Sequence, residues 1–188
     1  TFYLLRDWRL IVDKVQVLLP RRQEPLVVRL VSECHEVLGA FMRGQLLVML
    51  ALAIVYALGL MLLGLKLGLL IGVLAGLASI VPYMGFIVGI GIALVAGFFQ
   101  FGLDYLMLGG IVGVFLVGQV LESVALTPML VGDRIGLHPV AVMFAILAGG
   151  QLFGFTGVLL ALPVAAVLMV LLRFLYQRYQ TSDLYQQR

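Results

Sequence analysis

The sequence predicts an all-α, polytopic integral membrane protein with short broken or re-entrant helix pairs, preceded by an amphipathic helical hairpin. Hydrophobic residues make up 63% of its 188 residues and charged residues 11%, whereas soluble domains carry roughly 25% charged residues. Two segments, 67–103 and 135–172, contain no Asp, Glu, Lys or Arg. Because one transmembrane helix needs about 20 apolar residues, each of these segments has room for two short helices.

Basic residues cluster towards the two ends of the sequence. Seven of the twelve lie in residues 1–43 and three lie after residue 172. By the positive-inside rule, both ends should face the cytoplasm, with an even number of crossings between them. Cys34 is the single cysteine, which excludes an intrachain disulfide. The sequence starts abruptly, without an initiator methionine or a signal peptide, so we expect a piece of a longer protein.

We expect three parts: a basic amphipathic helical hairpin at the membrane surface (1–43), a transmembrane domain (44–172) and a basic cytoplasmic tail (173–188). Apolar residues recur at helical spacing in residues 2–19 and 26–43. The pair Cys34-His35 has no second Cys/His pair at ligand spacing, so no metal site is predicted.

The transmembrane part starts with the clearest spanning segment, residues 45–65, which ends at Lys66. In the next helix, residues 67–81, glycines recur at every fourth position and would permit close helix packing. Pro82 and Gly85 then break the helix before residues 86–102 continue it. The Tyr83 hydroxyl, within this break, could bond freed backbone groups or a substrate.

A further helix over residues 105–121 leads directly into Glu122. Proline removes a backbone donor and glycine permits unusual backbone angles, so we predict a broken helix from Glu122 onwards. Another short pair, 139–153 and 157–172, should follow, with Pro163 interrupting its second arm. Six crossings or, if the short pairs re-enter, two crossings both satisfy the charge rule. The predicted breaks after Glu122 lie at Pro128, Gly132, Gly136, Pro139, Gly154 and Gly157.

Glu122 is the first candidate for an ion or substrate pathway. A charge deep in hydrocarbon costs about 2.5–3.5 kcal/mol on insertion scales, so such residues are commonly functional. Alternatively, Glu122 lies at the interface and pairs with Arg134. Asp133 and Arg134 are adjacent, so they would not face each other on a helix, and other groups or water could pair with them. His138 could relay protons near neutral pH or cap the restarting helix. Further candidates, which could line a cavity at the helix breaks, are Tyr83, Gln151 and Thr156.

Several motifs occur in one order along nearly all of the sequence, and together they identify a family resemblance. The sequence resembles the C-terminal part of the autoinducer-2 exporter family, the PerM-like predicted permeases of bacteria. The family's Ile-Pro-Tyr-x-Gly motif has valine in place of isoleucine here. The motifs are Gly44-Gln45, Val81-Pro82-Tyr83-Met84-Gly85, Glu122, Pro128, Gly132, Gly136-Leu137-His138-Pro139, Gly149-Gly150, Phe153-Gly154, Gly157 and Pro163.

This resemblance implies a multi-pass protein of the bacterial inner membrane that exports a small solute or signalling molecule. Some relatives are thought to exchange sodium or lithium for protons, which gives a second hypothesis. A third is a non-transporting membrane scaffold assembled through glycine-lined helices. The expected partners are membrane lipids, a small solute or monovalent cation, and further copies of the chain in a homo-oligomer. We expect no cofactor, nucleic acid or enzyme activity, because no nucleophile elbow, HExxH or phosphate loop is present.

Overall fold

A computed structural model of the chain describes residues 24–126, 129 and 139–180. The described residues form helices and no strand, which confirms the all-α prediction. A π-helical turn, Glu122–Leu126, follows the fourth helix. The helices are α1 (Glu24–Leu62), α2 (Gly68–Ala78), α3 (Met84–Phe101), α4 (Tyr105–Leu121) and α5 (Pro139–Gln180).

Several predicted features lie outside the described residues. They include the first amphipathic helix, residues 2–19, and the last part of the tail, residues 181–188. Most of the break after Glu122 lies outside as well. Its residues are Pro128, Gly132, Asp133, Arg134, Gly136 and His138.

Within the described residues, four helical segments are long and apolar enough to cross a membrane: α1, α3, α4 with its π-helical turn, and α5. Helix α2 has 11 residues, so it is about 16 Å long at 1.5 Å per residue. The hydrocarbon core is about 30 Å thick. One of the two alternatives, a full crossing of the membrane by residues 67–81, is therefore excluded, because α2 is too short to span it.

Helix α1 joins two segments that the sequence analysis treated as separate helices. Residues 26–43 and 45–62 are parts of one 39-residue helix, about 58 Å long. Pro25 lies in its first turn, where proline is tolerated, and no further proline occurs before Pro82. The expected helix end near residue 43 was wrong, because Gly44 alone does not stop a helix that tertiary packing stabilises.

Three glycines on one face of α2 let this helix lie directly against α1, as their spacing predicted. A Cβ on Gly72 would meet the backbone of Ala57, and one on Gly76 would meet the backbone of Ala53. A Cβ on Gly68 would come within 3.0 Å of the Leu60 backbone. These pairs run in opposite directions along the two helices, so α2 folds back antiparallel on α1.

Helices α2 and α3 form the first helical hairpin. At its open end, the Gln100 side chain accepts a bond from the Lys66 amide and donates one to the Gly64 carbonyl, both at 2.8 Å. In its middle, a Cβ on Gly89 would lie 2.6 Å from the Ala75 Cβ. The two arms therefore run antiparallel over the full length of α2.

Helix α4 packs antiparallel along the second half of α1. Asp104 caps its first turn by accepting bonds from the amides of Leu106 and Met107 at 3.0 and 3.2 Å, which explains why the predicted helix starts at residue 105. The core enclosed by α1 to α4 consists of buried apolar side chains. They are Val48, Leu52, Tyr56, Leu60, Leu65, Ile71, Ala75, Ala93, Ile111 and Phe115.

Helix α5 is a second hairpin, because the chain turns sharply at Gly154 (φ 60°, ψ −142°). A Cβ on Gly157 would overlap the Gly149 carbonyl, although eight residues of straight helix would separate them by about 12 Å. Further from the turn, Val142 of the first arm packs against a cluster that includes Leu162 and Ala166 of the second. The break predicted between residues 149 and 157 is therefore a helical reversal.

The second arm of this hairpin continues through Pro163 to Gln180. The expected interruption at Pro163 was wrong, since Gly154 is the single position in α5 with non-helical angles. Apolar helices tolerate proline where neighbouring groups satisfy the freed carbonyl. The arm also passes the boundary expected at residue 172, so the start of the tail is helical.

Candidate functional site

Glu122 lies where the regular hydrogen-bond pattern of α4 ends and the π-helical turn begins. Only 7% of its surface is exposed. Pro128 has no backbone N–H, so the Val124 carbonyl cannot receive the usual α-helical bond from it. The Ser123 hydroxyl also donates to the Gln119 carbonyl at 2.9 Å, a bond that can bend a helix. Single π-helical turns inside helices frequently occur at functional sites.

Tyr56 of α1 faces the same part of α4 and is fully buried. Its ring stacks on Phe115, with centroids 4.6 Å apart. The ring fills a notch at Gly118, where a Cβ would overlap it. Since Glu122 follows Gly118 by four residues, it lies one turn further along the same face of α4.

Three buried oxygen atoms in this region have no hydrogen-bond partner among the described residues. They belong to the Tyr56 hydroxyl, the Gln119 side-chain amide and the Glu122 carboxyl group. We call these three side chains the buried polar cluster. Buried polar groups are nearly always bonded, so an unbonded set of this kind indicates a binding or exchange site.

No fixed positive charge neutralises Glu122 within the described part of the chain. Between Arg43 and Arg173, Lys66 is the single basic residue that the structure describes. It is exposed on the loop after α1, at the end of α4 remote from Glu122. Burying an unpaired charge is strongly unfavourable, and among the described residues Glu122 has no basic partner.

The tip of the first hairpin lies against α1 through a buried hydrogen bond. Gln45 donates from Nε2 to the Ser79 carbonyl at 2.7 Å, a group freed by the end of α2. Pro82 and Tyr83 complete the tip, and Tyr83 adopts a left-handed conformation (φ 66°). Gly85 lies inside α3 instead of in the break, and its missing side chain makes room for Ser79.

The other predicted site residues are not part of the buried polar cluster. Tyr83 is 47% exposed, and Gln151 is exposed on the first arm of α5. The Thr156 hydroxyl bonds to the Phe153 carbonyl at 2.9 Å, within the second hairpin. Asp133, Arg134 and His138 lie outside the described residues.

Sequence reasoning missed Tyr56 and Gln119 as members of the site, and it placed Gln45 only at the start of the first spanning segment. A signal for Tyr56 was present, because it is the one polar side chain in the apolar segment 46–62. For Gln45 no such signal existed, because its partner is a backbone carbonyl 34 residues away.

A separate groove of about 290 Å³ lies between the N-terminal part of α1 and the end of α5. Its walls include Arg29, Glu33, Glu36 and Arg173. Arg29 already bonds to Glu33 at 2.8 Å, in the exposed ion pair typical of a solvated helix face. The groove therefore has charged, solvated walls, unlike the apolar surroundings of Glu122.

Replacing Gln45 with leucine should destabilise the tip of the first hairpin. The change leaves the buried Ser79 carbonyl without its donor, which costs about 1–3 kcal/mol. Thermal unfolding in detergent should show a lower midpoint than wild type. Leucine at the exposed Gln151 is the matched control and should leave the midpoint unchanged; equal midpoints for both variants would contradict a stabilising role for the Gln45 bond.

The fold and the site together define a class of protein. Broken helices and a carboxyl group buried among apolar helices are features that many membrane transporters share. Comparison with known proteins then gives the family. The chain matches the family described as AI-2E family transporter over residues 1–177. It belongs to this family.

Similar proteins occur in both bacteria and archaea. The chain is 33% identical to "Putative transport protein YrrI" of Bacillus subtilis over 91% of its own length and 48% of that protein. It is 33% identical to "Putative permease PerM" of Escherichia coli over 89% and 47%. A "Putative transport protein" of Methanothermobacter thermautotrophicus is 27% identical over 84% and 46%. The chain thus spans about half the length of these relatives. No solved structure matches it.

Proposed function

We propose that this chain forms the coupling region of a secondary transporter that exports a small solute, with Glu122 as the group that binds the coupling proton or cation. The observation that carries the proposal is the buried carboxyl group at the π-helical turn, without a partner among the described residues. A buried carboxyl group that has no fixed positive charge beside it among the described residues can alternate between a bound and a free state.

The second hairpin is the better candidate for the moving element. The first hairpin lies against α1 through backbone contacts at three glycines, and packed backbones of this kind resist sliding. The α5 hairpin instead contacts α1 through a small cluster around Phe41, Leu162 and Ala166. Only 11% of the most apolar part of α5 is buried, against 33% for α1. We therefore infer that α5 moves relative to a fixed unit of α1 to α4.

Exchange of sodium or lithium for protons is a second candidate function. The unbonded atoms of the buried polar cluster are all oxygens, the ligand type that hard cations prefer. This alternative uses the same carboxyl group, and it differs from solute export in what crosses the membrane.

The experiment that tests both candidates uses the whole protein in sealed vesicles with a pH-sensitive dye inside. Sodium, lithium or potassium chloride is added outside, and in parallel series the vesicles are loaded with individual small polar solutes. A protein-dependent pH change with a cation supports antiport, and one with a solute supports coupled export. If no cation or solute moves in either series, the non-transporting scaffold replaces both.

We also propose that both ends of this segment face the cytoplasm of a bacterial cell, in its inner membrane, as the distribution of basic residues predicts. Cys34 lies in the charged N-terminal part of α1 and is free. A membrane-impermeant thiol reagent should therefore label Cys34 in inverted vesicles and not in right-side-out vesicles, with labelling located by peptide mass spectrometry. The reverse pattern would contradict this orientation.

A further inference from the structure

We propose that Glu122 is not a lone carboxyl group but the centre of a three-residue proton site. In this site the Tyr56 hydroxyl stabilises the ionised carboxylate and the Gln119 amide oxygen stabilises the protonated acid. The inference rests on the proposed function in one respect, since it gives the exchange group at Glu122 its hydrogen-bond partners. It is argued from the positions of the three side chains and does not depend on what is transported.

The position of Tyr56 is fixed by apolar packing and leaves its hydroxyl available. Phe115 holds one face of the ring, and Gly118 gives the ring room against the backbone of α4. The hydroxyl itself bonds to no described residue, and the ring lies against Gly118, one helical turn before Glu122. A tyrosine hydroxyl can donate a hydrogen bond, and a carboxylate is the acceptor that strengthens such a bond most.

Gln119 offers the complementary group. It precedes Glu122 by three residues, a spacing that brings side chains together on a helix. Its Oε1 atom is buried and unbonded among the described residues. A carbonyl oxygen can only accept, so it suits the O–H of the protonated acid and not the carboxylate.

The proton balance of the site is simple. One proton from solution binds to a carboxylate oxygen of Glu122, and the same proton leaves in the reverse step. Tyr56 keeps its own proton throughout, and no other bond forms or breaks. Neither bond is formed in the structure; the bond from Tyr56 forms when Glu122 is ionised, and the bond to Gln119 forms when Glu122 is protonated.

Few other titratable groups face this site from the described helices. On α1, Tyr56 is the single titratable side chain between Arg43 and Lys66. Helices α2 and α3 carry none, and Tyr83 between them is half exposed. On α4, Asp104 and Tyr105 lie at the opposite end and are exposed. The described part of α5 has none before Arg173. Among the described residues, Tyr56 and Gln119 are therefore the polar neighbours whose removal can change proton binding at Glu122.

The test measures the protonation of Glu122 directly. A hydrophobic carbodiimide reacts with protonated carboxyl groups in apolar surroundings, and peptide mass spectrometry gives the modified fraction of Glu122. Labelling of the whole protein in vesicles is followed over a pH series. Tyr56→Phe keeps the ring and its packing, Gln119→Leu keeps the approximate side-chain volume, and Tyr105→Phe removes an exposed hydroxyl as a control. Glu122→Gln sets the background.

The two variants should move the pH of half-maximal labelling in opposite directions. Tyr56→Phe should extend labelling to higher pH, and Gln119→Leu should restrict it to lower pH, each by about half to one pH unit for one lost hydrogen bond. The control should match wild type.

A shift of both variants in the same direction, or no shift in either, would overturn the proposal. Because each variant is compared with wild type separately, one misfolded variant leaves the other as a valid test. Transport is not measured in this experiment. A failed proposal for the proton site is thereby distinguished from a failed proposal for transport.

Discussion

Glutamine at position 122 is expected to abolish coupled transport and to leave the protein folded. Glutamine has nearly the shape of glutamic acid, so the packing at the start of the π-helical turn is kept. It cannot bind and release a proton in the physiological range, and it carries no charge to attract a cation. In the vesicle assay, the pH change driven by a cation or solute should fall to the level of vesicles without protein.

The control for this variant is Glu36→Gln, on the exposed N-terminal part of α1. It removes the same charge from a solvated position and should transport at the wild-type rate. Full activity of Glu122→Gln would show that the buried carboxyl group is not the coupling group. Loss of folding in Glu122→Gln, seen by size-exclusion chromatography, would instead assign a structural role to the residue.

Alanine at Gly72 is expected to destabilise the protein although alanine is the better helix former. A Cβ at this position would meet backbone atoms of Ala57, and backbone cannot rotate away as a flexible side chain can. Overpacking of this kind costs about 1–3 kcal/mol or more, which exceeds the gain of about 1 kcal/mol in helix propensity. The thermal midpoint in detergent should fall, and the protein should lose the close contact between α1 and α2.

Gly91→Ala is the matched control, because Gly91 is an exposed helical glycine with nothing within 4 Å of a Cβ. The same substitution there should leave the midpoint unchanged or raise it, since only helix propensity changes. Equal effects at the two positions would contradict the close packing of α2 on α1. Together with Glu122→Gln, this pair separates a transporter, which needs the carboxyl group, from a scaffold, which needs only the glycine face.

The sequence by itself determined that this protein folds in a membrane and where most of its turns lie. Two long charge-free segments are incompatible with a soluble core of this size, and proline and glycine act locally through their backbone geometry. The breaks at Pro82 and Gly154 and the cap at Asp104 therefore follow from a few neighbouring residues. The close packing predicted from Gly68, Gly72 and Gly76 also needed only their spacing.

Other features were decided by contacts between residues remote in sequence. Periodicity cannot show whether an amphipathic helix continues into an apolar one, so α1 was divided at residue 43. From the neighbouring sequence alone, Pro163 predicts a break in the helix, yet the helix around it is maintained in the packed hairpin. Whether a short helix pair crosses the membrane or reverses likewise depends on the distance between its two arms. The close approach of Gly149 and Gly157 exists only in the folded chain.

The candidate site shows the same division. Glu122 stands out in the sequence because a carboxyl group is rare among apolar residues. Tyr56 and Gln119 become its neighbours only because α4 packs antiparallel on α1 and because Gly118 admits the tyrosine ring. Local composition thus identified the charged group, whereas long-range packing selected the hydroxyl and amide groups that surround it.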